Sequence, residues 1–178
     1  MPKIADAKIL IMATDGFEEV ELFGPRERLL ALGAEVKLAA PRLRPIQATV
    51  LDDPGRTIRP HLRIGEVEAG GFDALILPGG VINPDALRTD ATAVALVRAF
   101  VAAGKVVGAI CHGPWMLVEA DVLRGRRATG WPSIRTDLRN AGANVREDRV
   151  VADGRLITAQ APEDVPAFTD AIVAAIAS

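Results

Sequence analysis

The sequence predicts an α/β protein built on a mainly parallel sheet with helices on both faces. Three observations carry this. Short apolar runs recur along the chain, segments of helical spacing separate them, and Gly or Pro closes most of the runs.

The first run, Lys8 to Ala13, is the kind of strand that is buried on both faces. Asp15-Gly16 ends it. Helical spacing through Val20, Phe23, Leu29 and Leu30 then predicts a helix from about Phe17 to Ala31, closed by Gly33. Glu35 to Ala40 reads as the second strand. The Pro-rich stretch from Pro41 to Pro60 predicts a loop carrying one or two short antiparallel strands. Asp73 to Leu77 is a further buried strand, stopped by Pro78-Gly79-Gly80. Thr92 to Ala102 follows as a helix with Val94, Val97 and Val101 on one face and Gly104 at its end. Lys105 to Ile110 is the next buried strand, and the chain passes directly from it into a helix beginning near His112. A helix near Ser133 to Asn140, short strands around Val150 and Leu156 to Ala159, and a C-terminal helix from Val165 complete the pattern. No repeat or linker interrupts it, so residues 1–178 are expected to form one domain.

Composition narrows the function classes. A net charge of -2, with basic residues scattered rather than striped, argues against nucleic acid as a partner. No apolar run approaches the roughly 18 residues of a spanning helix, and the N-terminus lacks the pattern of a secretory signal. A cytoplasmic location is therefore expected. One Cys and two His leave no disulfide and no Cys-rich zinc site, so neither metal nor another cofactor is expected.

In parallel sheets of this kind, ligands bind beyond the carboxyl ends of the strands. Three segments converge on that edge: Asp15 to Glu19, Pro78 to Asp85 and Cys111 to Pro114. The last belongs to Ala109-Ile110-Cys111-His112-Gly113, which has the small-x-nucleophile-x-small form of a nucleophile elbow. Such a turn places the thiol near the N-terminus of the new helix, where thiolate is favoured and backbone N–H groups can receive an oxyanion. Gly108 to Gly113 has P-loop glycine spacing, but Pro114 and Trp115 stand where Lys and Ser or Thr would be required. Cys111 is thus the expected nucleophile, and a nucleotide-binding loop is excluded.

A thiol nucleophile needs a base and a group that orients the base. No histidine follows His112, so a Cys with a downstream His is impossible within the chain. His112 is the adjacent candidate, provided that the elbow turns both side chains into one cleft. His61, in the Pro-rich stretch, is not expected to be catalytic. A glutamate of Phe17-Glu18-Glu19, if protonated by burial, could stabilise the thiolate as a donor. Glu19 and Glu21 are expected to be exposed first-turn acids. Asp85 either orients His112 or is a surface acid; the sequence leaves both open.

At these residues the chain resembles the PfpI family of the class I glutamine amidotransferase-like superfamily, which also holds the Parkinson-linked deglycase. The similarity runs through Asp15-Gly-Phe-Glu18, Asp73-Ala-Leu-Ile-Leu-Pro-Gly-Gly80, Asn83-Pro-Asp85 and Ala109-Ile-Cys-His-Gly-Pro-Trp115. It continues through Trp131-Pro-Ser-Ile-Arg-Thr-Asp-Leu-Arg-Asn-Ala-Gly142, Asp153-Gly-Arg-Leu-Ile-Thr158 and Pro162-Glu-Asp-Val-Pro-Ala-Phe168. The resemblance implies a flavodoxin-like three-layer α/β/α sandwich and a homo-oligomer, dimer or hexamer. It implies Cys111 as nucleophile, Glu18 as its hydrogen-bonding carboxyl, and His112 paired with Asp85 from a neighbouring subunit. It also implies an oxyanion hole from Gly80 and the backbone at His112, with Gly79, Gly113 and Trp115 lining the site. Gly130, where a serine is usual, and Ala159-Gln160, where Ser-Arg is usual, depart from the pattern, so substrate preference is not carried over.

The activities implied are those of a stress-response cysteine enzyme acting on small reactive carbonyls or on glycated proteins and peptides, of deglycase or glutathione-independent glyoxalase type. Intracellular cysteine peptidase and non-enzymatic redox sensor through Cys111 are the alternatives.

Overall fold

The computed structural model describes residues 3–178; Met1 and Pro2, where the expectation about a leader begins, lie outside them. In chain order the strands and helices are β1 (Lys8–Met12), β2 (Phe17–Glu18), α1 (Glu19–Ala31), β3 (Glu35–Ala40), β4 (Ile46–Val50), β5 (Asp53–Ile58), β6 (Leu62–Arg63), β7 (Ala74–Leu77), α2 (Ile82–Leu87), α3 (Ala91–Ala102) and β8 (Val106–Ile110). They continue with α4 (Trp115–Glu119), β9 (Arg127–Ala128), α5 (Arg135–Asn140), β10 (Asn144–Val145), β11 (Val150–Asp153), β12 (Leu156–Ala159) and α6 (Val165–Ala177).

Seven strands form one sheet in the order β11-β12-β8-β7-β1-β3-β6. Every neighbouring pair is parallel except β11 with β12. Side-chain alternation along β1 explains the layers. Ile9 and Ile11 point into a core shared with Leu22 and Leu29 of α1 and with Phe168 and Ile172 of α6. Leu10 and Met12 point the other way, against Val97 and Phe100 of α3, Leu117 of α4 and Leu138 of α5. Apolar runs of five or six residues are the signature of strands covered on both faces, and this sheet is covered so. It is the flavodoxin-like sandwich that the family resemblance implies.

The Pro-rich stretch forms the antiparallel hairpin β4–β5, as expected, and β4 also pairs in parallel with β2. That second pairing is a correction. Phe17 and Glu18 are drawn into a short strand against Ala48 and Thr49, so α1 begins only at Glu19. A second correction concerns α2, a six-residue helix that the sequence reading passes over. The third lies after β8. Residues 111–114 form a turn, and α4 begins at Trp115 and is five residues long. His61 lies beside the sheet edge, its Nδ1 accepting from the Leu38 amide at 2.9 Å, which is a structural role.

Among the described residues, no helix is long and apolar enough to cross a membrane. No cluster of three or more His, Cys, Asp or Glu capable of holding a metal ion occurs among them either.

Candidate active site

Cys111 follows directly on β8 at the carboxyl edge of the sheet, with φ of 61°, one of three non-glycine residues in the left-handed region among the described residues. A side chain held there carries strain, which persists only where the surroundings enforce it. Three backbone hydrogen bonds do so: Cys111 N–H to Ala159 C=O at 3.0 Å, Gly113 N–H to Ile110 C=O at 2.8 Å, and Trp131 N–H to Cys111 C=O at 2.9 Å. The elbow is thus pinned from β12 on one side and from the Trp131 segment on the other. Gly113 is needed for the turn itself, because a Cβ there would run into the carbonyl oxygens of Leu77 and Ile110. That assigns Gly113 to the fold of the elbow.

The thiol is 6 % exposed and lies 3.3 Å from His112 Nδ1. The concern that neighbouring residues point apart is resolved by the positive φ, which turns both side chains into the same cleft. The imidazole is itself fixed. It stacks on Trp131 at 5.9 Å between ring centroids and meets the Trp115 ring edge-on at 5.2 Å. Its Nε2 lies 3.3 Å from Ser133 Oγ. Trp115 is held in turn by Nε1–H donation to Asp137 at 2.8 Å. Burial lowers the His112 pKa, which favours the neutral imidazole over the imidazolium.

The carboxyl against the thiol is Glu21, and this corrects both expectations made for the glutamates. Glu18 caps the start of α1 and accepts from the Leu51 amide at 3.2 Å, on the hairpin side. Glu21, expected to be exposed, is 0 % exposed. Its Oε2 accepts from the Gly79 amide at 2.7 Å, and its Oε1 has no hydrogen-bond partner among the described protein atoms. Burial raises the Glu21 pKa to about 8, against the opposing effect of the Gly79 N–H, so the carboxyl is protonated at neutral pH. Cys111 is pushed up chiefly by burial and next by a negative charge on Glu21. A protonated Glu21 removes that charge and offers its hydroxyl as donor, while the His112 and Gly80 backbone N–H groups favour the thiolate. These donors only partly oppose burial, which holds the thiol pKa above its ordinary value, and this corrects the expectation that the elbow favours thiolate.

Gly79 lies against the elbow, close to the Cys111 Cβ and the His112 N–H. Gly80 has φ of 73°, and a Cβ there would strike the Gly16 carbonyl oxygen. The pair is fastened by Asn83, a residue to which the sequence reading gives no role. Its Nδ2 donates to the carbonyls of Pro78 and Gly79, at 3.0 Å each, and its Oδ1 accepts from the Thr14 amide at 2.8 Å. Asp85 is different. It stands exposed on α2, lining a groove of about 490 Å³ with Arg88, Arg98 and Glu119, and makes no hydrogen bond to His112 within the chain. A cavity of about 230 Å³ lined by Lys105, Val107, Val122 and Leu156 lies at the far end of β8 from the thiol and is no part of this site.

A strained cysteine against a buried glutamate, with a neighbouring histidine and two glycines above, can be compared with known proteins. The DJ-1/PfpI family profile matches residues 7–175. The Escherichia coli protein named protein/nucleic acid deglycase 2 is 39% identical over 171 residues, covering 90% of this chain and 92% of the relative. A Bacillus subtilis protein, YraA, provisionally named a cysteine protease, is 38% identical over 164 residues, covering 90% and 93%. Among solved structures, a two-domain protein from Anabaena variabilis with a DJ-1/ThiJ/PfpI-like domain and a ferritin-like domain superposes with a TM-score of 0.92. It is 34% identical, over 97% of this chain and 48% of that one. With the elbow in place and the profile matched over nearly its whole length, the chain belongs to the DJ-1/PfpI family.

Proposed function

We propose that this protein is a cysteine-dependent enzyme acting on small reactive carbonyls or their protein adducts, of deglycase or glutathione-independent glyoxalase type. The observation that carries the reading is the Cys111–His112 contact at 3.3 Å beside a carboxyl that is protonated at neutral pH. His112 Nδ1 takes the thiol proton, and the thiolate adds to the aldehyde carbon to give a hemithioacetal. The carbonyl oxygen, now carrying the electron pair, accepts from the backbone N–H groups of Gly80 and His112, and the imidazolium returns its proton to it. With methylglyoxal, moving the former aldehyde hydrogen as a proton to the neighbouring carbonyl carbon, and the hemithioacetal hydroxyl proton to that carbonyl's oxygen, leaves a lactoyl thioester, from which water releases lactate and the free thiol. Trp115 and Trp131 pack against the His112 ring beside the thiol, and we read their bulk as favouring small aldehydes over extended peptides. The deglycase name of the E. coli relative agrees with this chemistry, and the name of the B. subtilis relative keeps peptide cleavage as an alternative.

The test is methylglyoxal consumption and lactate formation by the purified protein without glutathione, beside Cys111→Ala and His112→Ala. Loss of turnover in both variants supports the proposal. No turnover in the parent protein sinks the small-aldehyde reading, and turnover surviving Cys111→Ala removes the thiol from the chemistry.

A second reading, redox sensing in the stress response, is favoured by one feature. The unpartnered Oε1 of protonated Glu21 is a ready donor to an oxygen on an oxidised Cys111 sulfur. Mass spectrometry after mild peroxide treatment tests it: a stable sulfinic acid on Cys111 that Glu21→Ala abolishes supports sensing.

A further inference from the structure

We propose that Ser133 is the positioning residue of His112, holding the imidazole from within the same chain in the tautomer whose bare Nδ1 faces the Cys111 thiol. This deepens the proposed function and rests on its assignment of His112 as base.

The two ring nitrogens of His112 have different partners. Nδ1 lies 3.3 Å from Cys111 Sγ, and Nε2 lies 3.3 Å from Ser133 Oγ. For Nδ1 to accept the thiol proton it must be bare, so the ring hydrogen sits on Nε2. That hydrogen needs an acceptor, and Ser133 Oγ is at hydrogen-bond distance. Trp131 and Trp115 fix the plane of the ring but offer nothing to Nε2, so they cannot choose the tautomer. After proton transfer, both imidazolium N–H groups remain satisfied, one by the thiolate and one by the hydroxyl.

The support is built into the backbone. Ser133 sits in the single turn Pro132–Ile134, which follows Trp131 directly. Trp131 N–H donates to the Cys111 carbonyl at 2.9 Å, and Ile134 N–H donates to the Trp131 carbonyl at 3.0 Å. Nucleophile, base and positioning hydroxyl therefore share one hydrogen-bonded frame. Asp85, by contrast, is exposed on α2 and makes no hydrogen bond to His112 in this chain. A lone subunit thus already contains a Cys–His–hydroxyl series.

Two features of the chain make the test clean. It has one cysteine, so alkylation reports Cys111 alone, and two histidines, so imidazole 15N spectra resolve His112 against His61. His61 Nδ1 accepts from the Leu38 amide, which fixes its tautomer and makes it an internal standard. The experiment measures 15N shifts of His112 and the rate of iodoacetamide alkylation at neutral pH in the parent, Ser133→Ala and Ser133→Thr. Ser133 is exposed, so its truncation leaves the fold in place. We expect Ser133→Ala to move the His112 shifts towards mixed tautomers, with His61 unchanged, and to slow alkylation roughly five- to tenfold, the weight of one neutral hydrogen bond. Ser133→Thr restores both. For any substrate turned over, kcat falls with KM unchanged. Unaltered His112 shifts and an unaltered alkylation rate in Ser133→Ala overturn the proposal. Neither readout needs a substrate, so failure of the carbonyl chemistry leaves this inference standing or falling by itself.

Discussion

Glu21 and Cys111 face one another across Gly79: a Cβ on that glycine would lie 2.7 Å from Glu21 Oε2 and 2.8 Å from Cys111 Cβ. The missing side chain leaves the space in which a buried carboxyl and a buried thiol interact. Both groups are buried, so each influences the protonation of the other. A carboxyl that holds its proton to about pH 8 removes the charge that would otherwise oppose the thiolate.

This coupling predicts a stability that falls with pH. Glu21 is raised in the folded chain from its usual range to about 8, so the native state holds a proton that the unfolded state releases. Stability associated with the group is fully present below the unfolded pKa and is lost as pH rises towards 8. The loss approaches ~1.4 kcal/mol per pH unit over that window. Glu21→Gln, which keeps a donor and an acceptor but cannot ionise, removes this slope. Urea unfolding at pH 5 and pH 8, in the Cys111→Ser background to suppress the thiol, measures it. A parent and variant with equal pH slopes would contradict the assignment.

The glycine over the elbow gives a sharper contrast. Gly80 and Gly125 have nearly the same φ, 73° and 71°, but a Cβ at Gly80 would strike the Gly16 carbonyl, whereas nothing lies within 4 Å of one at Gly125. Gly125→Ala is expected to cost only the conformational strain, about 1 kcal/mol. Gly80→Ala adds a backbone collision and displaces the N–H that faces the thiol. It is expected to destabilise by clearly more than Gly125→Ala and to lower Cys111 alkylation at least tenfold. Thermal unfolding and alkylation of the two variants side by side distinguish strain from collision.

Asn83 predicts a loss that is felt at a distance. It is 1 % exposed and holds three backbone groups, from Thr14, Pro78 and Gly79. Asn83→Ala leaves these groups without their partner, at about 1–3 kcal/mol for each one that stays buried and unpaired. Asn83→Asp keeps the acceptor for Thr14 and loses both donations. The expected order of stability by urea unfolding is parent, Asp variant, Ala variant, with kcat falling in the same order as Gly79 and Gly80 loosen.

What the sequence disclosed about this site follows the range of the interactions involved. The elbow is a local feature, set by small residues around Cys111 where a buried strand ends, and the sequence reading places it correctly. The sheet was legible for the same reason, since β7 and β8 are buried throughout and β1 is buried after Lys8. Glu18 and Glu21 could not be told apart locally. Which of them faces the thiol depends on where α1 begins, and that is decided by the pairing of Phe17 and Glu18 with Ala48 and Thr49 in the hairpin. Ser133 reaches His112 only because Trp131 N–H bonds to the Cys111 carbonyl, a contact spanning twenty residues. The helix α2 was hidden because six residues containing Pro84 carry no helical periodicity.

Dilution separates what one chain does alone from what a neighbour adds. Asp85 lies outside hydrogen-bond reach of His112 within the chain, while Ser133 occupies Nε2. If Asp85 serves His112 of an adjoining subunit, its effect depends on association and vanishes on dilution. Asp85→Ala is then expected to lower turnover at concentrations where the protein self-associates and to leave alkylation of dilute Cys111 unchanged. Mixing Asp85→Ala with Cys111→Ala makes the stronger demand. In a mixed oligomer, the first chain keeps its thiol and receives an intact Asp85 from the second, so turnover rises above that of either variant alone. An acid working within its own chain yields no such recovery, because neither variant then contains a complete set. Turnover after co-refolding the two variants at several ratios, with sedimentation to follow association, decides between these arrangements.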